Sequence, residues 1–522
     1  MRLKVRRSIA CRAGINVTLV VVCALSISCV RRVDPEPVEL PGSVRVGTDT
    51  NDKTLRKTLD GVFGSDQLGS VLWGVEVRSL DRRERLYARN SELLLTPAST
   101  MKIVTLAAAV DVLGWDHQFD TTLSASARIE SMTLQGDLVV RGTGDPTINA
   151  PGTEKIFVDW AEELQGLGIR SIAGRIVGDD DELIGRNDGG YVPGFGAGWA
   201  WDDLVLGFAT PVGSLQHREN VADVVVGPNS AAGRLGHVRI QTPWSGLIVL
   251  NEVITVGRRE PTHIELFRAP RTNVLRVTGQ IAQGRSSLVR KVSVNNPTLF
   301  FVRSLKDALE QAGIAVEGQA IDIDSLSKPD KKSLRQGLRT LAQHMSSPLS
   351  DIAVSMMKRS QNLYAESLLY RIGSVEGRGI HGGREVVSDL LADWGVRRPR
   401  IAVADGSGLS RYNYLTASAL VDVLDVVYRD QYWQKQFIRT LPIAGRDGTL
   451  RRRFRGTAAE GVVRAKTGSM SRVRALSGYV QTADGEQLAF AILANNFSAN
   501  SRAVNGTIDD VVAFLASYSR DE

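Results

Sequence analysis

Three short groups of residues could together carry out acyl transfer. Ser99 and Lys102 stand three apart in PASTMK, so on a helix the lysine amine lies one turn above the serine hydroxyl. Serine is a weak nucleophile near neutral pH and needs a base beside it. A lysine can be that base where burial or a second cation lowers its pKa. The second group is Ser360-Gln361-Asn362 and the third is Lys466-Thr467-Gly468. Read alone, each has an ordinary explanation: a helix cap with a surface lysine, a bend between helices, and an edge-strand lysine before a turn. The Ser-x-x-Lys spacing also recurs at Ser325/Lys328 and Ser355/Lys358, and Ser-x-Asn recurs at Ser293 and Ser498, whereas Lys-Thr-Gly occurs once. The specific signal is the ordered set: S-x-x-K, then S-x-N, then K-T-G.

The surrounding sequence predicts elements that could position such a set. Ser99 is expected to open a buried helix that runs apolar and without Gly or Pro to Gly114. Ser360 falls between amphipathic stretches containing Ile352, Met356 and Met357 on one side and Leu363, Leu368 and Leu369 on the other, which predicts a bend between helices. Lys466 ends a strand-like run that starts at Val462, and Ala475–Thr482 with Leu488–Asn495 predict a hairpin around Asp484-Gly485. Ser70–Leu80 and Glu84–Arg89 predict another hairpin, and Thr507–Ser519 a closing helix.

Lys102 and Ser360 are too far apart for the intervening chain to be a loop, so it must hold its own domain or domains. Its pattern is strand-rich, with LQGDLVVRG, IAGRIVGDD, ADVVVGP, HVRIQT, VLRVTGQI and RKVSV separated by Gly and Pro. Helices are expected near Glu154–Leu167 and Pro297–Ala312. The expected division is a leader over 1–29, a polar tether over 30–53, a first part of the reactive domain over 54–118, an inserted β-rich region over 119–333, and a second part over 334–522.

The first residues carry Arg2, Lys4, Arg6, Arg7 and Arg12, followed by an uncharged run from Ala13 to Val30. This pattern predicts an export signal. A membrane anchor is the alternative, but the run is shorter than the ~20 residues of a spanning helix. Cys11, Cys23 and Cys29 are the only cysteines, so no structural disulfide survives cleavage. LSISC, ending at Cys29, resembles a bacterial lipoprotein box with Ser26 where Leu is usual. The expectation is a lipid on Cys29 and membrane contact through the N-terminus, with plain secretion as the alternative. Removing the five leader charges brings the formal net charge from +7 to about +2, which argues against a nucleic-acid surface.

The chain resembles the class C low-molecular-mass penicillin-binding proteins, the D-alanyl-D-alanine carboxypeptidases and endopeptidases of peptidase family S13. The resemblance rests on PASTMK, SQNLYAE, DGSGLSRYN (405–413), LPIAGRDGTL (441–450) and AKTGSM, with GTGDP (142–146) and WAWDDL (199–204) inside the insert. It extends from about residue 55 to the C-terminus. It implies a penicillin-recognising, transpeptidase-like α/β (α+β) fold with a β-rich insertion after the serine helix. The departure is Gln361, where Asp is commoner.

The resemblance implies residue roles. Ser99 attacks the carbonyl between two D-alanines and Lys102 takes its proton. Lys466 and Lys102 disfavour each other's charge. Ser360 relays the proton to the leaving amine, and Asn362 positions Lys102 and the substrate amide. Lys466 and Thr467 meet the terminal carboxylate, and Gly468 allows the strand close to the substrate. The N–H groups of Ser99 and Ser469 hold the oxyanion. Arg411 and Met470 match positions that line a pocket for the free end of a diamino-acid side chain, with Asp202 or Asp203 as its acidic member. The implied partners are peptidoglycan stem peptides and, as inhibitors, β-lactams. No cofactor or metal is implied, and the six histidines fall outside these motifs. The expected function is a serine DD-carboxypeptidase of the cell envelope, with DD-endopeptidase activity as a further expectation. One alternative is a β-lactamase, disfavoured because its S-x-x-K to S-x-N spacing is far shorter. The other is a non-catalytic wall-binding or penicillin-sensing protein, disfavoured by the full set of reactive residues.

Overall fold

The structure is a computed structural model and describes residues 45–46, 50–65, 68–153, 155–181, 194–396 and 400–520. The leader, the tether and Cys29 lie outside the described residues.

A six-stranded sheet organises the reactive domain, in the order Arg45–Val46, Glu84–Arg89, Leu72–Ser79, Gln487–Asn495, Val473–Gln481, Arg464–Met470. Both expected hairpins are present. The Gln487–Asn495 strand shows why the sheet is covered on both faces. Ala489, Ala491 and Leu493 face a helical core, while Leu488, Phe490, Ile492 and Ala494 face a second core. A strand with two buried faces reads as a continuous apolar run rather than an alternation. The second core is closed by Thr50–Phe63 and Ser501–Ser517; Asn500 caps the latter by accepting from the Arg502 N–H.

The helical layer is centred on Met101–Leu113. Every residue from Met101 to Val110 is buried, as an apolar run with no polar face requires, and the helix stops at Gly114 with φ 79°. Leu349–Arg359, Asn362–Val375, Gly379–Asp393 and Ala417–Arg429 belong to the same layer.

The intervening chain forms separate sheets over its own cores. A five-stranded sheet runs Ala320–Asp322, Ile176–Asp179, Leu138–Gly142, Asp120–Ala125, Arg339–Met345. Helices Ile156–Gly166 and Pro297–Gln311 pack into one core with it. The Asn296 side chain caps Pro297–Gln311 by accepting from the Leu299 N–H at 2.7 Å. Two three-stranded sheets, built around Val221–Gly227 and Val274–Ala282, enclose another core. The expected end of the insert at residue 333 needs correction. Arg339–Met345 pairs antiparallel with Asp120–Ala125, so the inserted sheet closes at Met345. The signal was weak because that strand is an exposed edge with little alternation.

Candidate active site

The serine lies in a strained turn. Ala98 is buried with φ 47°, and Ala98–Thr100 form one 3-10 turn before the helix begins at Met101. Ser99 thus stands in the turn that leads directly into the expected buried helix, and it is not the helix cap. Thr100 is the N-cap, no side chain caps the helix, and the Thr100 hydroxyl donates back to the Pro97 carbonyl at 2.7 Å. The Ser99 hydroxyl is therefore left to the lysine one turn on: Lys102 Nζ lies 3.0 Å from Ser99 Oγ.

Lys102 is fully buried and donates to Asn362 Oδ1 at 2.6 Å and to the Ser407 carbonyl at 2.7 Å. Burial pushes its pKa down to about 7, against the opposing pull of Asp405 and Glu366. Neutral and charged amine are then both accessible near neutral pH, as proton exchange with a serine requires.

Ser360 ends the Leu349–Arg359 helix in the left-handed region, φ 60° and ψ 39°, and Asn362 starts the next helix. The expected bend is thus a single strained residue. Strain of this kind persists only where surrounding contacts hold it. Here Lys466 holds it, donating from Nζ to Ser360 Oγ at 2.7 Å. Lys466 is also fully buried. Burial first, then the nearby Lys102, holds its pKa well below the usual lysine range.

Gly468 has a use that differs from the expected one. A Cβ there would meet the Pro97 carbonyl oxygen at 2.7 Å and the Ala98 Cβ at 3.2 Å. The missing side chain lets the Arg464–Met470 strand close onto the serine turn itself. Thr467 faces partly outward and donates to Thr449 Oγ1 at 2.8 Å. Ser469 is exposed just beyond Gly468, opposite Arg474, and Met470 follows opposite Val473.

Two buried carboxylates that sequence reasoning did not single out support the site. Glu366 accepts from the N–H groups of Gly406, at 3.1 Å, and Ser407, at 2.7 Å. Desolvation, then Asp405, pushes the Glu366 carboxyl up to about 8. Asp405 accepts from Gly408 N–H at 2.7 Å, Ser410 N–H at 2.5 Å, Asn413 Nδ2 at 2.5 Å and Trp199 Nε1 at 2.9 Å. Together they fold 405–413 so that the Ser407 carbonyl meets Lys102. The signal was present in sequence: Glu366 is one helical turn beyond Asn362.

The insert reaches this site. Asn362 Nδ2 donates to the Phe208 carbonyl at 2.8 Å, and Ser410 Oγ donates to the Ala197 carbonyl at 2.6 Å. Arg411 is exposed and approaches the Ser471 carbonyl at 3.4 Å. Asp203 is half-buried, and its carboxyl is raised by desolvation and by Asp202 and lowered by Arg411. Asp202 is exposed. The arrangement therefore brings together two hydrogen-bonded sets, Ser99–Lys102–Asn362 and Ser360–Lys466, close enough for Lys102 to disfavour the charge on Lys466, with Asp203 within electrostatic reach of Arg411. Such an arrangement can move a serine proton to a buried amine and keeps a second buried amine, Lys466, close by.

Residues 55–518 match the model of the D-Ala-D-Ala carboxypeptidase 3 (S13) family. The chain is 33% identical over 484 residues to a D-alanyl-D-alanine carboxypeptidase of Actinomadura sp. (strain R39), covering 89% of this chain and 85% of that protein. It is 29% identical over 433 residues to D-alanyl-D-alanine carboxypeptidase DacB of Haemophilus influenzae, covering 81% and 85%. The crystal structure of penicillin-binding protein 4 (dacB) from Haemophilus influenzae superposes with a TM-score of 0.76 at 26% identity, covering 88% of this chain and 99% of that one. The same protein complexed with a β-lactam superposes with a TM-score of 0.70 at 25% identity.

Proposed function

The chain belongs to the D-Ala-D-Ala carboxypeptidase 3 (S13) family, and from that premise we propose how its residues divide the work of a serine-type D-Ala-D-Ala carboxypeptidase acting on peptidoglycan stem peptides. The observation that carries this reading is the buried Lys102 amine, 3.0 Å from Ser99 Oγ with its pKa drawn down to about 7.

Neutral Lys102 takes the Ser99 proton as Oγ attacks the carbonyl between the two D-alanines. The Ser99 and Ser469 N–H groups receive the developing oxyanion. The C–N bond breaks, and the departing amine takes a proton through the Ser360 hydroxyl. The terminal carboxylate of the substrate favours the charged form of Lys466 on arrival, and Thr467 adds a hydroxyl donor beside it. Water then attacks the acyl-enzyme, with Lys102 again the base, releasing the shortened peptide. A β-lactam follows the first half of this path and stays attached to Ser99. Where the leaving amine belongs to a cross-linking side chain, the same chemistry is a DD-endopeptidase cleavage.

Arg411, Met470 and Asp203, with Asp202 beside it, are the groups we assign to the free end of the diamino-acid side chain. Arg411 suits its carboxylate and the acidic pair its ammonium. Cys29 is proposed as a lipid attachment point after export to the cell envelope, supported by the sequence pattern around it. The deciding experiment is incubation of the purified protein with defined muropeptides and identification of the products by mass. Loss of one alanine from pentapeptides is the expected result. Penicillin labelling without peptide turnover would favour a penicillin-sensing protein instead.

A further inference from the structure

The insert contains a cavity of about 400 Å³ that the catalytic reading does not use. This is within the range of about 300–1,000 Å³ typical of small-molecule sites. Part of the lining is aromatic and apolar: Trp244, nearly half exposed, Pro243, Val158 and the buried Phe157. The opposite character comes from short polar side chains, Gln241, Ser304 and Asn149. Two cations there face two carboxylates: Arg218 pairs with Asp223 at 3.7 Å, Asp223 pairs with Lys291 at 3.0 Å, and Asp307 also lines the cavity. One donor is left over. Arg218 Nε is buried and has no hydrogen-bond partner among the described residues, an unfavourable condition that an arriving acceptor would relieve.

The backbone around this cavity is strained. Arg218, Glu219 and Asn220 lie in succession at φ 50°, 56° and 56°, and Trp244 has φ 63°. Non-glycine residues in this region are strained and gather at ligand sites. The same turn points two ways. His217 and Arg218 line the cavity. Glu219 pairs with Arg359 at 3.1 Å and accepts from the Tyr364 hydroxyl at 3.2 Å. Arg359 precedes Ser360, and Tyr364 follows Asn362 on its helix. The turn therefore ties the cavity to both helices that carry the reactive loop.

We propose that this cavity binds a β-linked N-acetylated aminosugar segment, the glycan to which the stem peptide is attached. A sugar ring offers an apolar C–H face that suits an exposed indole, and hydroxyl and acetamido groups at its edge that suit Gln241, Asn149 and the unpaired Arg218 Nε. The balanced charge fits an uncharged polyol better than a polyanion. The inference rests on the wall-peptide reading of the active site, because glycan and stem peptide are parts of one polymer.

The test is titration calorimetry of the full chain with a peptide-free oligosaccharide of N-acetylated aminosugars. Trp244→Ala and Gln241→Ala are measured beside the wild type, with thermal melting as the check on folding. Wild type should bind, Trp244→Ala should bind at least tenfold more weakly, and Trp244→Phe should recover part of the loss. Turnover of a short D-Ala-D-Ala peptide should be unchanged in every variant, while KM on intact peptidoglycan rises in Trp244→Ala. Gln241→Ala, at an exposed position, carries the test should Trp244→Ala fail to fold. Absence of glycan binding in wild type, or equal binding by folded variants, overturns the inference. Failure of the wild type to cleave the short peptide overturns the catalytic reading instead, and calorimetry still reads the cavity.

Discussion

Asn362 and Glu366 lie one helical turn apart and fix the Lys102 amine from two sides. Asn362 accepts directly from Nζ at 2.6 Å, while Glu366 pins the Ser407 N–H at 2.7 Å and so presents the Ser407 carbonyl to the same amine. The amine is held by one side chain and one loop, both anchored on a single helix.

Glu366→Ala should therefore damage catalysis without touching a reacting atom. It leaves the Gly406 and Ser407 N–H groups buried and unpaired, at a cost of about 1–3 kcal/mol each. Penicillin acylation should slow by roughly ten- to hundred-fold as the loop loosens. Glu366→Gln, which keeps one acceptor oxygen, should recover part of the rate. Equal acylation by Glu366→Ala and wild type would remove this residue from the positioning scheme.

The pH profile follows from Lys102. In the proposed mechanism its neutral form is the base, and its pKa is drawn down to about 7. As pH falls through that value the amine is charged, so acylation should lose about tenfold per unit below it and level off above. Stopped-flow acylation by a chromogenic β-lactam between pH 5 and 9 measures the limb. A limb centred near the ordinary lysine value would contradict the assignment.

Ser99→Ala should abolish covalent labelling by a fluorescent penicillin. Because no side-chain bond from Ser99 caps the helix, the variant should lose less than the ~1 kcal/mol expected for a missing cap. Chemical denaturation of the two proteins reads the difference.

Gly468→Ala should push the strand off the serine turn, since its Cβ would meet the Pro97 oxygen at 2.7 Å. Overpacking of this kind costs about 1–3 kcal/mol, and acylation should fall at least tenfold. Gly166→Ala, in a helix with open space around it, is the control and should leave labelling intact.

Arg411→Ala should slow cleavage of peptides with a free diamino-acid end by about tenfold, the lower part of the range for a charge-assisted hydrogen bond, because the guanidinium is exposed and screened. Benzylpenicillin acylation should change much less. Equal slowing of both substrates would make Arg411 a support for the loop.

The reactive group was legible because Ser99/Lys102, Ser360/Asn362 and Lys466-Thr467-Gly468 are local patterns that survive in one dimension. The Met101–Leu113 helix and the Val473–Asn495 hairpin were legible for the same reason. What escaped was long-range. Asp405 and Glu366 matter through backbone N–H groups on a loop whose shape they create. Phe208 matters through its carbonyl, which no side-chain pattern marks. The 3-10 turn that precedes the helix also escaped, because it is entered through a left-handed Ala98 and alanine gives no warning of that conformation. The insert closed later than expected because Arg339–Met345 is an exposed edge.

The Asn362 amide rests on the Phe208 carbonyl, and Trp199 on Asp405, which has a bearing on biogenesis. During synthesis the serine emerges first, then the insert, then Ser360 and Asn362, and Lys466 near the end. Until residue 407 is made, Lys102 lacks the Ser407 carbonyl, and until residue 466 is made, Ser360 lacks the amine that holds it. On the proposed mechanism, a nascent or truncated chain should carry the Ser99 hydroxyl without its reactivity. Penicillin capture in a pulse–chase would then report completed chain assembly rather than mere presence of the serine.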